Sequence, residues 1–192
     1  MSEFEFLMVL SGFVIAIAMT EVVGGIGRQI RTRATVEFDW LHLGWSFVAL
    51  VILMLSWTSL WPYREFEFVY LAQIWMLVIP TLFLVVVAYA LSPNVPETGK
   101  FNVREYFLAK RIPIFVGLSL ATLMGSVAET VIVGTKSLSS LMTPLAFSAA
   151  FLVLAITRSV LVHAIGLVLA ALAYGGLGLV KVVEIYDRFP QP

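Results

Sequence analysis

Glu129 lies in an apolar stretch, preceded by Gly117, Ala121 and Gly125 at four-residue intervals. That spacing places the four near one side of a helix. Three small side chains in a row allow another helix to approach closely, which predicts a carboxylate aimed into a protein interface instead of lipid. An ionisable group inside an apolar span costs a few kcal/mol on insertion scales, so it calls for a partner, a water path or a role in moving charge. A proton or cation path is the functional use, and an interhelical hydrogen bond the structural one. The companions expected at the same depth are Gln73, Ser56, Thr58, Tyr174 and Lys136.

A second group stands near the other end of the apolar spans: Glu21, His42, Arg158 and His163. If they converge, Glu21 can pair with Arg158, and the imidazoles supply the side chain type that changes charge near neutral pH. Snorkelling of end residues to headgroups is the plainer alternative. Two histidines on different helices also admit axial ligation of one haem b, a minor alternative lacking a four-histidine set. His163, Gly166, Ala170, Tyr174 and Gly178 recur at helical spacing, and close helix packing is what such small residues ordinarily serve.

Other chemistries have no support. The chain has no Cys, so thiolate metal sites and thiol nucleophiles are absent. No H-E-x-x-H pattern is present. Gly24-Gly25-x-Gly27 opens no phosphate-binding turn, and no motif supports a Ser-His-carboxylate nucleophile. Lys and Arg balance Asp and Glu at net zero, which argues against a grip on nucleic acid. The expectation is a protein that is not an enzyme and has no resident cofactor.

The elements that must position these residues follow from composition. Of 192 residues 60% are hydrophobic and 12% charged, and soluble domains carry about twice that share of charge. Each crossing of a hydrocarbon core of about 30 Å takes about 20 apolar residues, so six crossings fill most of the chain. The fold class expected is an all-α bundle of six transmembrane helices in one domain. Their expected ranges are about 4–23, 40–61, 68–91, 112–133, 141–157 and 159–180. Glu3 and Glu5 without Lys or Arg, and no small-x-small site afterwards, make the first a helix and not a cleavable signal.

Gly24, Gly25 and Gly27 are expected to loosen the end of helix one into a basic loop. Trp40 and Trp61 bracket helix two as aromatic belts do. Pro80 is expected to kink helix three, and Pro113 suits the first turn of helix four, after a short surface helix around 103–109. Thr143-Pro144 has the form of a helix start, which would leave helix five only about 14 residues, short for a crossing or re-entrant.

Loops one, three and five hold Arg28, Arg31, Arg33, Lys100, Arg104, Lys110, Arg111 and Arg158, against Arg64, Lys136, Lys181 and Arg188 on the other face. The positive-inside rule then places both termini outside. Asp39-Trp40-Leu41-His42-Leu43-Gly44-Trp45, Arg104-Glu105-Tyr106-Phe107 with Lys110-Arg111, and Arg158 with His163 resemble a group of bacterial six-helix membrane proteins of unknown activity. The resemblance spans most of the chain and implies a bacterial inner-membrane setting, with no catalytic residue to carry over. The functional expectation is a small homo-oligomeric channel or transporter for protons or small ions. Glu129 and Gln73 would lie in the pathway, with Glu21, His42, Arg158 and His163 at its inner mouth. The alternative is a non-catalytic membrane subunit, scaffold or sensor that docks a partner protein.

Overall fold

A computed structural model describes residues 2–32, 36–66, 68, 70–96, 100–134 and 138–188, with side chains through 178 apart from 133 and 138–140. Among the described residues the chain forms six helices: α1 (Glu3–Arg31), α2 (Trp40–Thr58), α3 (Leu71–Leu91), α4 (Val103–Val133), α5 (Leu138–Ile156) and α6 (Val160–Arg188). A 3-10 turn, Trp61–Glu65, follows α2, and two-residue strands β1 (Val36–Glu37) and β2 (Phe101–Asn102) pair in parallel. All helices except α5 contain a stretch long and apolar enough to cross a membrane; the apolar run of α5, Leu141–Ile156, is shorter.

Three boundaries differ from expectation for definable reasons. The glycines at 24, 25 and 27 do not end α1, which runs on to Arg31. Gly25 serves a close approach instead: a Cβ there would lie 2.7 Å from Ser92 Oγ at the end of α3. The expected surface helix at 103–109 is the first part of α4, which passes through Pro113 without a break; Asn102 caps it by accepting from Glu105 N at 3.1 Å. Likewise α5 begins at Leu138, six residues before Pro144; α3 contains Pro80, as expected. A proline removes one donor from the ladder, and the flanking turns here supply enough further bonds to carry the helix past it.

The helices alternate in direction. The most extensive contact is α3 on α4, with α5 on the far side of α4 and α1 on the far side of α3. Over this row lies α2, touching α1, α3 and α4, and α6 rests chiefly on α2, where Gly44 receives Leu167 with no room for a Cβ. One buried cluster draws on all six helices and centres on Trp45, Phe107, Phe115 and Phe151. A smaller one, around Leu7, Leu60, Ile74, Leu77 and Ile132, closes the end opposite the basic loops.

At the basic end the C-terminus of α3 is held by side chains from three other helices. His42 Nε2 donates to Leu91 O at 2.7 Å, Tyr106 OH to Ala90 O at 3.1 Å, and Arg28 Nε to Pro93 O at 3.4 Å. Ser92 Oγ donates in turn to Glu21 O at 2.8 Å. Beside this, Asp39 caps α2 by accepting from Leu41 N and takes both Arg104 Nη2 and Nε, at 3.0 and 3.2 Å, while Asn102 donates to Glu37. The β1–β2 register, Val36 opposite Phe101, therefore continues into side-chain pairs with the same 65-residue offset.

Terminal carbonyls of a buried helix end that lose their donors keep their desolvation penalty. Replacing His42, which is fully buried, by Leu is therefore expected to destabilise the detergent-solubilised protein by about 1–3 kcal/mol. Tyr106→Phe is expected to do so by about 1 kcal/mol. Denaturant unfolding followed by far-UV circular dichroism measures both, and wild-type stability in His42→Leu would contradict this role.

Candidate functional site

Polar side chains gather along one side of α4, beyond the ring of Phe115. Phe115, Ser119, Thr122, Ser126 and Glu129 are spaced by four, three, four and three residues, which places them within about 80° of one another around a helix. The pattern binds outward in steps. Ser119 and Ser148 of α5 are both buried, and their two hydroxyl protons are shared among three short contacts: Oγ to Oγ at 2.6 Å, Ser119 Oγ to Ser148 O at 3.1 Å, and Ser148 Oγ to Ser119 O at 3.2 Å.

One turn further, Thr122 donates to Leu118 O at 2.9 Å, and the Tyr174 side chain of α6 lies near it. Ser126 donates to Thr122 O at 3.1 Å and Thr130 to Ser126 O at 2.8 Å. These hydroxyls satisfy their protons on the preceding turn and keep lone pairs for a visitor. Thr122 and Ser126 are half-buried and Glu129 is exposed, within electrostatic reach of Tyr63, so accessibility rises steadily along the row.

At its inner end the row stops at rings. Phe115 packs edge-on to Trp45 at 4.8 Å and stacks on His163 at 5.1 Å, and Phe107 stands between His163 and His42, with centroids 5.5 and 6.3 Å away. His163, like His42 fully buried, directs Nε2 to a backbone carbonyl, that of Thr157 at 3.2 Å just beyond α5. Their Nδ1 atoms and Trp45 Nε1 have no hydrogen-bond partner among the described residues. The layer thus holds two imidazoles and an indole N–H with unused hydrogen-bonding capacity, packed in hydrocarbon.

Several expected relations take another form. Glu129 does not face a helix interface. Gly117 does, since a Cβ on it would lie 2.6 Å from Val87 of α3, and Ala121 is buried, but Gly125 meets open space. The cause is helical drift: residues four apart advance about 40°, so Glu129 stands about 120° from Gly117. Glu21 does not pair with Arg158. With α1 continuous, Arg28 lies two turns on along the same side and takes Glu21 Oε1 at 2.7 Å. Arg158 is exposed, with no ion pair among the described residues.

The two histidines do meet around Phe107, but each Nε2 is committed to a carbonyl and a ring separates them, which is not the arrangement of two axial ligands on one haem. Gln73 lies apart from the α4 row, where its Oε1 accepts from Tyr70 N at 3.1 Å and caps α3. Gly166 admits Leu154 of α5, and Ala170 is buried. Ser56 donates to Ile52 O and Thr58 to Leu55 O within α2, and Lys136 lies outside the described residues.

The row of Ser119, Thr122 and Ser126 escaped the sequence reading because a search for small residues at intervals of four follows the neighbouring face. Hydroxyls alternating at three and four residues ahead of a carboxylate were the available signal. No group of three or more potential metal ligands occurs among the described residues. Comparison with protein families, with curated proteins and with solved structures finds no match.

The Ser119–Ser148 pair joins α4 to α5 in an apolar setting, where interhelical hydrogen bonds contribute about 0.6–1.7 kcal/mol. A double-mutant cycle of Ser119→Ala and Ser148→Ala, read by unfolding in mixed micelles, is expected to show coupling in that range. Additive losses would mean that the two hydroxyls do not depend on each other.

Proposed function

We propose that this chain is a multi-pass membrane protein that carries protons or small ions along the polar face of α4. The row of hydroxyls and a carboxylate running from exposed Glu129 to the buried Ser119–Ser148 pair carries this reading. Ten residues of helix span about 15 Å, half the hydrocarbon thickness, so the row leads from one surface to about the midplane. Oxygen atoms at successive turns replace parts of a hydration shell or pass a proton along, which hydrocarbon does not do. Companions from α5 and α6 line the route within one chain. Gly125, with open space before it, offers a second copy room to close the lipid side, and a homo-oligomer belongs to the proposal.

Below the midplane the rings of Trp45, Phe115, Phe151 and His163 close the route, so passage requires this layer to move. In the proposed path His163 is the titratable group within this closure, and the basic end lies beyond it. That end gathers Arg28, Arg104, Lys110, Arg111 and Arg158, and the positive-inside rule assigns it to the cytoplasmic side, with the N-terminus outside; the bacterial inner membrane is the setting the resemblance implies.

Purified protein in liposomes, with a trapped pH indicator and an imposed proton or potassium gradient, tests the reading between about pH 5 and 8, the range over which imidazoles titrate. Flux above that of empty vesicles is expected. Glu129→Gln is expected to lower it about tenfold, the effect of about 1.4 kcal/mol on a rate. Ser119→Leu, which fills the inner end of the row, is expected to abolish it. Wild-type vesicles no leakier than empty ones would sink the proposal, and undiminished flux in Glu129→Gln would remove Glu129 from the path.

A further inference from the structure

Helices α5 and α6 are consecutive yet barely touch along much of their length. Between them runs a cleft of about 200 Å³, lined by Ala146, Phe147, Ala150 and Leu154 of α5 and by Gly166 and Ala170 of α6, all apolar. Ala146 and Ala150 are exposed, so the cleft opens at the surface of the bundle. Close packing of neighbouring helices normally removes such a void, because its lining forgoes dispersion contacts. An acyl chain laid along the cleft would restore those contacts.

One end of the cleft is marked by charge. Leu154 lies one turn before the connection Thr157–Arg158–Ser159, and Gly166 two turns after it. Arg158 is exposed there with no ion pair among the described residues, and Arg111 of α4 is near enough to act electrostatically on His163. The first-turn amides of α6 add the positive end of a helix dipole. A cation with no protein partner, one turn beyond an apolar slot open to the surface, has the layout of a lipid: phosphate at one end, acyl chain along the slot.

We infer that the α5–α6 cleft is a binding site for an anionic phospholipid, whose acyl chain lies between Ala150 and Gly166 and whose phosphate pairs with Arg158. The site rests on the membrane setting proposed above but not on conduction, and a chain without flux can still hold its lipid.

Native mass spectrometry of the detergent-purified protein, titrated with phosphatidylglycerol or with phosphatidylcholine of the same acyl chains, tests the inference. Phosphatidylglycerol is expected to bind preferentially. Arg158→Gln, a change at an exposed position, is expected to weaken its binding about fivefold, the weight of one arginine at an anionic surface. Ala150→Phe is expected to weaken both lipids while leaving the far-UV spectrum unchanged. Equal retention of the two lipids, or undiminished phosphatidylglycerol binding in Arg158→Gln, overturns the site. A dimer that disappears in Ala150→Phe would put a second copy in the cleft and overturn it too. Release of the protein from membranes by alkaline carbonate without detergent would instead defeat the membrane setting itself, so the two failures are told apart.

Discussion

A helix that ends within a bundle leaves its last carbonyls without intrahelical donors, and α3 ends that way. Its C-terminal carbonyls draw Tyr106 from α4, His42 from α2 and, just past the end, Arg28 from α1. Each donor reaches its acceptor at one rotation and one height of its helix, so three neighbours are set against α3 by the same requirement. The close approach of Gly25 to Ser92 and the β1–β2 pair with its Asp39–Arg104 bridge extend that registration across the basic end. In the proposed membrane setting, with no water to take over, an unmet carbonyl would weigh more than any single apolar contact in the core.

With α4 held at its start, the rotation of its later turns follows. Gly117 is turned onto α3, and the face about 120° away carries Glu129. Ser119 then meets Ser148, while Phe115 on the same side enters the aromatic layer beside His163. One helix therefore joins a surface carboxylate to the buried rings, and the proposed path uses that continuity. The imidazole of His42 bonds α3 on one edge and borders the aromatic layer on the other, so the structural end of the bundle and the inner limit of the path are a single packed unit.

Much of this arrangement could be read in the residues. Long apolar runs separated by Pro, Gly and charge announce six helices, because hydropathy and length act locally. Arg158 and His163 beside the basic loops announce the end at which they lie. What escaped was decided by contacts distant in sequence. The glycines at 24–27 look like a terminator, and only Ser92, about 70 residues away, reveals Gly25 as a packing surface. Glu21 looked for a cation across the bundle because α1 was expected to stop before Arg28 could lie on the same side. A four-residue interval passed for one face, though its drift accumulates to a third of a turn by Glu129. The hydroxyl row shows the reverse case: its spacing was present in the sequence, but each hydroxyl is commonplace alone, and the partners that distinguish the row come from α5 and α6.

Conduction along α4 requires that water reach the row from the Glu129 end and halt at the rings. The natural chain has no Cys, so single cysteines introduced at Ser126, Thr122 and Phe115 report on it cleanly, with Leu172 on the exposed apolar side of α6 as the lipid-facing control. In proteoliposomes treated with a membrane-impermeant thiol reagent, Ser126→Cys and Thr122→Cys are predicted to react, the first faster. Phe115→Cys and Leu172→Cys are predicted to stay unmodified. If Ser126→Cys and Thr122→Cys prove as inert as Leu172→Cys, the row is dry and the account is contradicted.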